Sequence, residues 1–344
     1  ARVDGITVAD LDRALYGDRT LVKHLAMRRT LFVFPRETLA LAQAGASNRV
    51  ANAERKRLIR DVESAGLQRD GERWLAEASE RVLAALADGR EATSSELRKE
   101  IPLLEGAIVY GAGKSWGGRM PVGPRVLTTL SAAGRVVRAS NDGAWTISRP
   151  RWAATSAWLG EEIEPREEAA GVAGLVEGWL RTFGPGTAGD LKWWLGSTVA
   201  AVRRALADLE AVEVELDGQT GYVLPDDLEP TERVEPWAAL LPPLDPTTMG
   251  WQEREWYLGP HKAQLFDASG NAGPTAWWDG RIVGGWRQSD DDGCIFLQLL
   301  EDVGSEGCAA LESEAGRLSE WLGGTRALPR FPSPLSKADQ HLSS

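Results

Sequence analysis

Apolar positions recur at helical spacing through much of the chain. Ile6 to Leu15 keeps a 3.6-residue rhythm, with Thr7 placed as its N-cap and Asp10 three residues on. Leu31-Phe32-Val33-Phe34, closed by Pro35, predicts a strand. Residues 48–66 and 71–88 return to helical spacing, through Trp74, Val82 and Leu86, and stop at Gly66 and Gly89. Thr93-Ser94-Ser95-Glu96 has capping-box spacing and opens a short helix through Leu97. A Gly-rich connection follows, and Pro124 begins a further helix (Val126, Leu127, Leu130) that Gly134 ends. Val136-Val137 and Trp145-Thr146-Ile147 then flank Ser140-Asn141-Asp142-Gly143, which predicts a hairpin.

Helix, helix, hairpin is the order of a winged helix-turn-helix, and it recurs over 165–224. Thr187 to Asp190 opens a helix carrying Leu191, Trp194 and Leu195. Ser197 is placed to cap the next, striped by Val199, Val202, Leu206 and Leu209. Val212–Leu216 and Tyr222–Leu224 flank Asp217-Gly218. An ungapped offset of 76 residues lays Val126 on Val202, Leu130 on Leu206 and Val136 on Val212, and brings Asn141-Asp142 onto Asp217-Gly218. We read this as an internal repeat. Residues 225–236 form a charged linker. Beyond it Ala276 to Val283 predicts two strands about Asp279-Gly280, Cys294 to Leu299 another strand, and 305–322 a helix.

At 344 residues, 43% apolar and 26% charged, the composition is that of an ordinary folded protein rather than a disordered one. No apolar run approaches the length of a membrane span and no leader pattern opens the chain, so the expectation is a cytoplasmic protein. The chain begins with alanine, which leaves room for an upstream extension of the natural protein. Two cysteines, Cys294 and Cys308, and three histidines, all widely spaced, argue against a disulfide framework and against zinc. Gly111-Ala112-Gly113-Lys114-Ser115 lacks the first glycine of a phosphate-binding loop, Ile108 standing in its place. Asp290 to Gly293 lacks the alternation and closing glutamate of a calcium loop. Most of the 15 tryptophans are assigned to the core.

The net charge of −11 hides an asymmetry. Residues 1–60 hold twelve basic and six acidic residues, and 106–153 hold seven basic residues against Asp142 alone; the other segments are acidic, 154–235 most of all. Such blocks point to a localised anion-binding face, although any run of charge also reads as a solvated surface. The candidates are Arg28 and Arg29 before the first strand; Lys114, Trp116 and Arg119 on a basic loop from Gly111 to Met120; Arg125, Arg135, Arg138, Arg149 and Arg151 around the first repeat; and Arg203 and Arg204 on the helix of the second. In a winged helix these places meet phosphates and groove edges.

Several segments resemble the winged-helix DNA-binding-domain family that includes the AlkZ- and YcaQ-type DNA glycosylases. They are His24 to Val33, Gly184 to Thr187 continuing through Trp194-Leu195-Gly196, Leu240 to Pro246, and Gly280 to Arg287. The resemblance spans nearly the whole chain. It implies a protein that is mainly α with small β-hairpins, in tandem winged helix-turn-helix units, plus a C-terminal small β-barrel or α+β domain. The division would be 1–92 for an incomplete first unit, 93–160 and 161–228 for the second and third, and 229–344 for the last domain. It further implies a monomer that binds double-stranded DNA near the nucleoid and hydrolyses N-glycosidic bonds of bulky N7-alkylated or crosslinked purines, with no metal or cofactor. The family's Gln-aliphatic-Gln motif does not occur here, and Phe32 stands where the family usually has His, so no catalytic residue is assigned. The alternative is a non-catalytic DNA-binding protein, a regulator or lesion shield. A ligand- or protein-binding module built on the Trp-rich C-terminal part is a third class.

Overall fold

The computed structural model describes residues 3, 5–110, 117–289, 293–327 and 332–337. Along the chain it runs α1 (Val8–Asp12), β1 (Leu21–Leu25), β2 (Leu31–Pro35), α2 (Leu39–Ala42), α3 (Asn48–Ser64), α4 (Gly71–Ala85), α5 (Ser94–Glu100), β3 (Ala107–Tyr110), β4 (Gly118–Pro121), α6 (Val122–Ala132), β5 (Val136–Asn141), β6 (Pro150–Ala154), α7 (Thr155–Leu159) and α8 (Glu168–Phe183). Then come β7 (Gly186–Thr187), α9 (Ala188–Leu195), α10 (Val199–Asp208), β8 (Val212–Leu216), β9 (Gln219–Val223), β10 (Ala238–Leu241), α11 (Glu255–Leu258), α12 (Lys262–Leu265), β11 (Thr275–Trp278), β12 (Arg281–Gln288), β13 (Ile295–Leu299), α13 (Gly304–Leu322) and α14 (Pro334–Lys337). This is a mixed α/β architecture whose sheets are small and antiparallel. No helix among the described residues is long and apolar enough to cross a membrane.

Two compact units emerge: a first of Ile6–Leu180 with Leu195–Ala211, and a second of Ala1–Gly5, Arg181–Trp194 and Val212–Ser344. The core of the first unit follows from helical periodicity. Leu58 and Val62 of α3, Trp74, Leu75, Ala78 and Val82 of α4, Leu97 of α5, and Val126, Leu127 and Leu130 of α6 form one buried cluster with Val136 and Trp152. The Trp74 indole N–H donates to the Leu103 carbonyl at 3.1 Å, so the ring is buried without an orphaned donor. The predicted caps at Thr7 and Thr93 both close as capping boxes.

β1 pairs with β2, a partner that the sequence reading left out, and His24 lies opposite Phe32 in the register. His24 is 3% exposed, and burial pushes its pKa down to about 4, with the neighbouring Gln43 pulling the other way. The native state therefore holds the neutral ring, while the unfolded chain takes up a proton from about pH 6.5 downward. Stability is expected to fall by about 3 kcal/mol as pH drops from 6.5 to 4 and to stay flat above that window. Denaturant midpoints measured across that range check it. His24→Phe should remove most of the slope, and an unchanged slope would assign the loss to other groups.

Two hairpins and one helix cap depart from expectation. The strand pairing with β5 is Pro150–Ala154, not Trp145-Thr146-Ile147. Trp145 and Ile147 are exposed in the intervening loop, where the Asn141 amide donates to the carbonyl of Ile147 at 2.9 Å and its oxygen accepts from the Arg149 amide. The 76-residue offset thus holds through the helix and first strand, both Val126 and Val202 being fully buried, but the two hairpin turns differ in length. Residues 118–120, expected in a loop, belong to β4. The cap of α10 is Thr198, accepting from the Ala201 amide, rather than Ser197.

In the second unit β10, β11, β12 and β13 pair in sequence order as an open meander. Among the described residues β10 and β13 are not neighbours in that order, so this sheet is open, with helices packed against it. α13 covers one face through Leu311 and Ala315, against Leu240, Val283 and Trp286; Tyr257, Leu258, Leu265 and Phe266 pack with Ile282 and Trp277 on the other. Burial on both faces is why Ile282 to Trp286 is buried without interruption. Asp279 and Gly280, both at positive φ, make the tight β11–β12 turn read from the sequence.

Candidate nucleic-acid interface

One gathering of cations in the first unit is built on α5 and the β3–β4 hairpin. Thr93 and Glu96 fix the start of α5, and Leu97 anchors it in the core at 0% exposure. Arg98 and Lys99 stand in its last turn, where the helix dipole favours positive charge. They line an open basin of about 500 Å3 with Arg119 of β4; Glu105 is the acidic residue there. Glu100, next along the helix, is taken by Arg90 in a bidentate pair at 2.9 and 2.7 Å, which holds its carboxyl below the usual range.

Strand alternation orients the hairpin. Ile108 packs towards the core, while Val109, paired with Arg119, is 57% exposed. Tyr110 and Met120 add exposed apolar surface. Gly118 has a local reason: a Cβ there would lie 2.7 Å from the Tyr110 hydroxyl oxygen. Cations beside exposed apolar side chains can hold phosphates and press against base edges or sugars.

The structure distributes the other candidates differently. Lys114 and Trp116 lie outside the described residues. Arg125 leaves the candidate surface: its side chain is 11% exposed and paired with Asp61 at 2.9 Å. Arg151 is turned to the Glu91 carbonyl and the Glu96 carboxylate, at 2.9 and 3.2 Å. Arg138 lies over the Trp152 ring, 5.2 Å from its centre, and burial lowers its pKa. These three cations serve the fold because each sits within reach of a ring, carbonyl or carboxylate brought from elsewhere in the chain.

Arg29 pairs with the nearly buried Glu54 at 2.9 Å, and Arg28 packs beside Gly196; both arginines have positive φ. Arg135 is exposed and lines a small cavity with Arg166, Glu162 and Glu164. Arg149 is exposed at the β5–β6 turn. Arg203 and Arg204 are exposed on α10, with Arg204 3.7 Å from Asp208. The structure therefore joins Arg119 to two residues absent from the sequence candidates, Arg98 and Lys99. Both belong to a stretch whose net charge is negative, so counting by block concealed them. Among the described residues no group of three or more His, Cys, Asp or Glu is arranged to hold a metal ion.

The curated interstrand DNA cross-link repair glycosylase of Streptomyces sahachiroi is 26% identical over an alignment of 183 positions that covers 48% of this chain and 46% of that protein. The matched stretch thus spans about half the length of that relative. The solved structure of the Streptomyces sahachiroi DNA glycosylase AlkZ superposes with a TM-score of 0.67 at 21% identity, covering 94% of this chain and 83% of that one, so the two share a fold. The family model described as DNA glycosylase AlkZ-like matches residues 1–321. On that match the chain belongs to the AlkZ-like DNA glycosylase family.

Proposed function

We propose that this protein is a DNA-repair glycosylase that engages duplex DNA through the basin of Arg98, Lys99 and Arg119 and releases bulky N7-alkylated or crosslinked purines. The basin, with Val109, Tyr110 and Met120 exposed on the same hairpin, is the observation that carries the reading. Arg135, Arg149, Arg203 and Arg204 add sequence-independent phosphate contacts, and Arg28 and Arg29 lie in the turn of the β1–β2 hairpin. The architecture we assign is tandem winged-helix units at 1–92, 93–160 and 161–228, followed by the α+β domain of 229–344. The sheet order β7-β9-β8, with α9 and α10 between β7 and β8, supports the third unit. We assign it to the cytoplasm, on the nucleoid, as a monomer.

An N7-alkylated guanine is cationic and leaves readily. Catalysis then requires mainly an oriented water and stabilisation of the sugar cation as the N-glycosidic bond breaks. This mechanism needs no metal or cofactor. One observation favours a second reading, a lesion-binding protein without turnover: Phe32 takes the place usual for a family histidine, while His24 opposite it is buried and neutral.

A duplex carrying one interstrand crosslink between N7-alkylated guanines, incubated with the protein and then with alkali, separates the two. Strand scission that rises with protein concentration is the expected result. Binding without scission would establish the second reading, and neither would remove both.

A further inference from the structure

The second unit contains a cavity whose chemistry is opposite to that of a phosphate site. It has a volume of about 590 Å3, within the range of small-molecule pockets. Phe183, Trp251 and Trp256 form its aromatic wall. The Trp251 and Trp256 rings stand 5.2 Å apart at 83°, and Phe183 meets Trp251 at 5.3 Å and 75°. Trp256 is 60% exposed, so core packing does not account for it.

The polar wall is anionic. Asp217, Glu253 and Glu255 line the cavity, and no Lys, Arg or His is among the described lining residues. Two of these carboxylates are held in place: Glu253 accepts from the Gln219 side-chain amide at 2.6 Å, and Glu255 accepts from the Arg254 backbone amide at 3.1 Å. A fourth, Asp190, is buried and absorbed by the scaffold. It accepts from the Thr187 hydroxyl and amide and from the amides of Gln252 and Glu253. The nearby Arg254 guanidinium is attracted to Glu255 and, more weakly, to Asp190; it stacks on Trp193 and Phe266, 5.0 and 5.1 Å from their ring centres, rather than lining the cavity. Two perpendicular indoles with fixed carboxylates repel phosphate and attract a cation that is poorly hydrated and broad enough to touch both rings.

We infer that this cleft binds a small organic cation of the methylated-ammonium class, seated in the corner between Trp251 and Trp256 and neutralised by Asp217, Glu253 and Glu255. The inference is independent of the DNA-binding reading, since it rests on residues of the second unit only.

Choline and its uncharged isostere 3,3-dimethylbutan-1-ol, titrated calorimetrically into the full chain, test it. Choline should bind saturably and the alcohol at least about tenfold more weakly. Trp256→Ala should weaken choline about tenfold while duplex DNA affinity stays unchanged. Should Trp256→Ala unfold, Glu255→Gln, an exposed substitution, is expected to weaken choline several-fold and leave the melting curve intact. Equal affinity for the two compounds, no saturable choline binding, or undiminished binding in both variants would overturn the inference.

Discussion

Gly171→Ala is expected to lower the stability of the first unit by about 3 kcal/mol, whereas Gly178→Ala on the same helix should raise it by about 1 kcal/mol. The contrast comes from what each helical position faces. A Cβ at Gly171 would lie 2.8 Å from the Leu41 carbonyl oxygen and closer still to the backbone of Gly45. A Cβ at Gly45 would in turn meet the Gly171 carbonyl carbon and oxygen at 2.5 Å. Backbone meets backbone on both sides, so no side chain can move to make room, and the buried turn Gln43–Ser47 must separate from α8. A Cβ at Gly178 would meet nothing within 4 Å, and the position is exposed, which leaves only the helix-propensity gain. Urea midpoints of the two variants decide it, and equal shifts would contradict the packing described.

The second large effect concerns affinity. Replacing Arg98, Lys99 and Arg119 together with alanine should weaken undamaged duplex binding about a hundredfold at moderate salt. The slope of log K against log salt should flatten by about 3, because each lost phosphate contact removes about 0.9. Arg125→Ala is the matched control: its guanidinium is occupied by Asp61, so it should lower stability and leave the slope unchanged. A triple variant with the wild-type slope would place the DNA elsewhere.

Much of this fold was written in periodicity. The helices around Trp74, Val126 and Leu206 and the long C-terminal helix follow directly from where apolar residues recur, since a stripe of that spacing is buried only as a helix. The strands were less legible. Leu21–Leu25 is short, contains Lys23 and His24, and is recognisable mainly through its partner β2. Trp145 to Ile147 has the composition of a strand but is exposed, while the true strand starts at Pro150 and ends in two alanines, residues of low strand propensity. The sequence reading placed the cap of α10 one residue early, at Ser197, where the backbone geometry selects Thr198.

The sequence reading and the basin share one member, Arg119. Charge counted by segment found the region of Arg119 but overlooked Arg98 and Lys99, whose acidic neighbours reverse the sum. It also included Arg125, Arg138 and Arg151, because Asp61, Trp152 and Glu91 meet them only after folding. A side chain's availability depends on what lies across the fold, and local sequence does not contain that.

Where duplex DNA lies on the molecule is measured most directly by photocrosslinking. Benzoylphenylalanine substituted at Tyr110, beside the basin, and at Trp321, on α13 of the second unit, replaces aromatic side chains that are 43% and 41% exposed. Irradiation with labelled duplex is predicted to give a salt-sensitive covalent complex from position 110 and none above background from position 321. Capture at 321 with none at 110 would contradict the account.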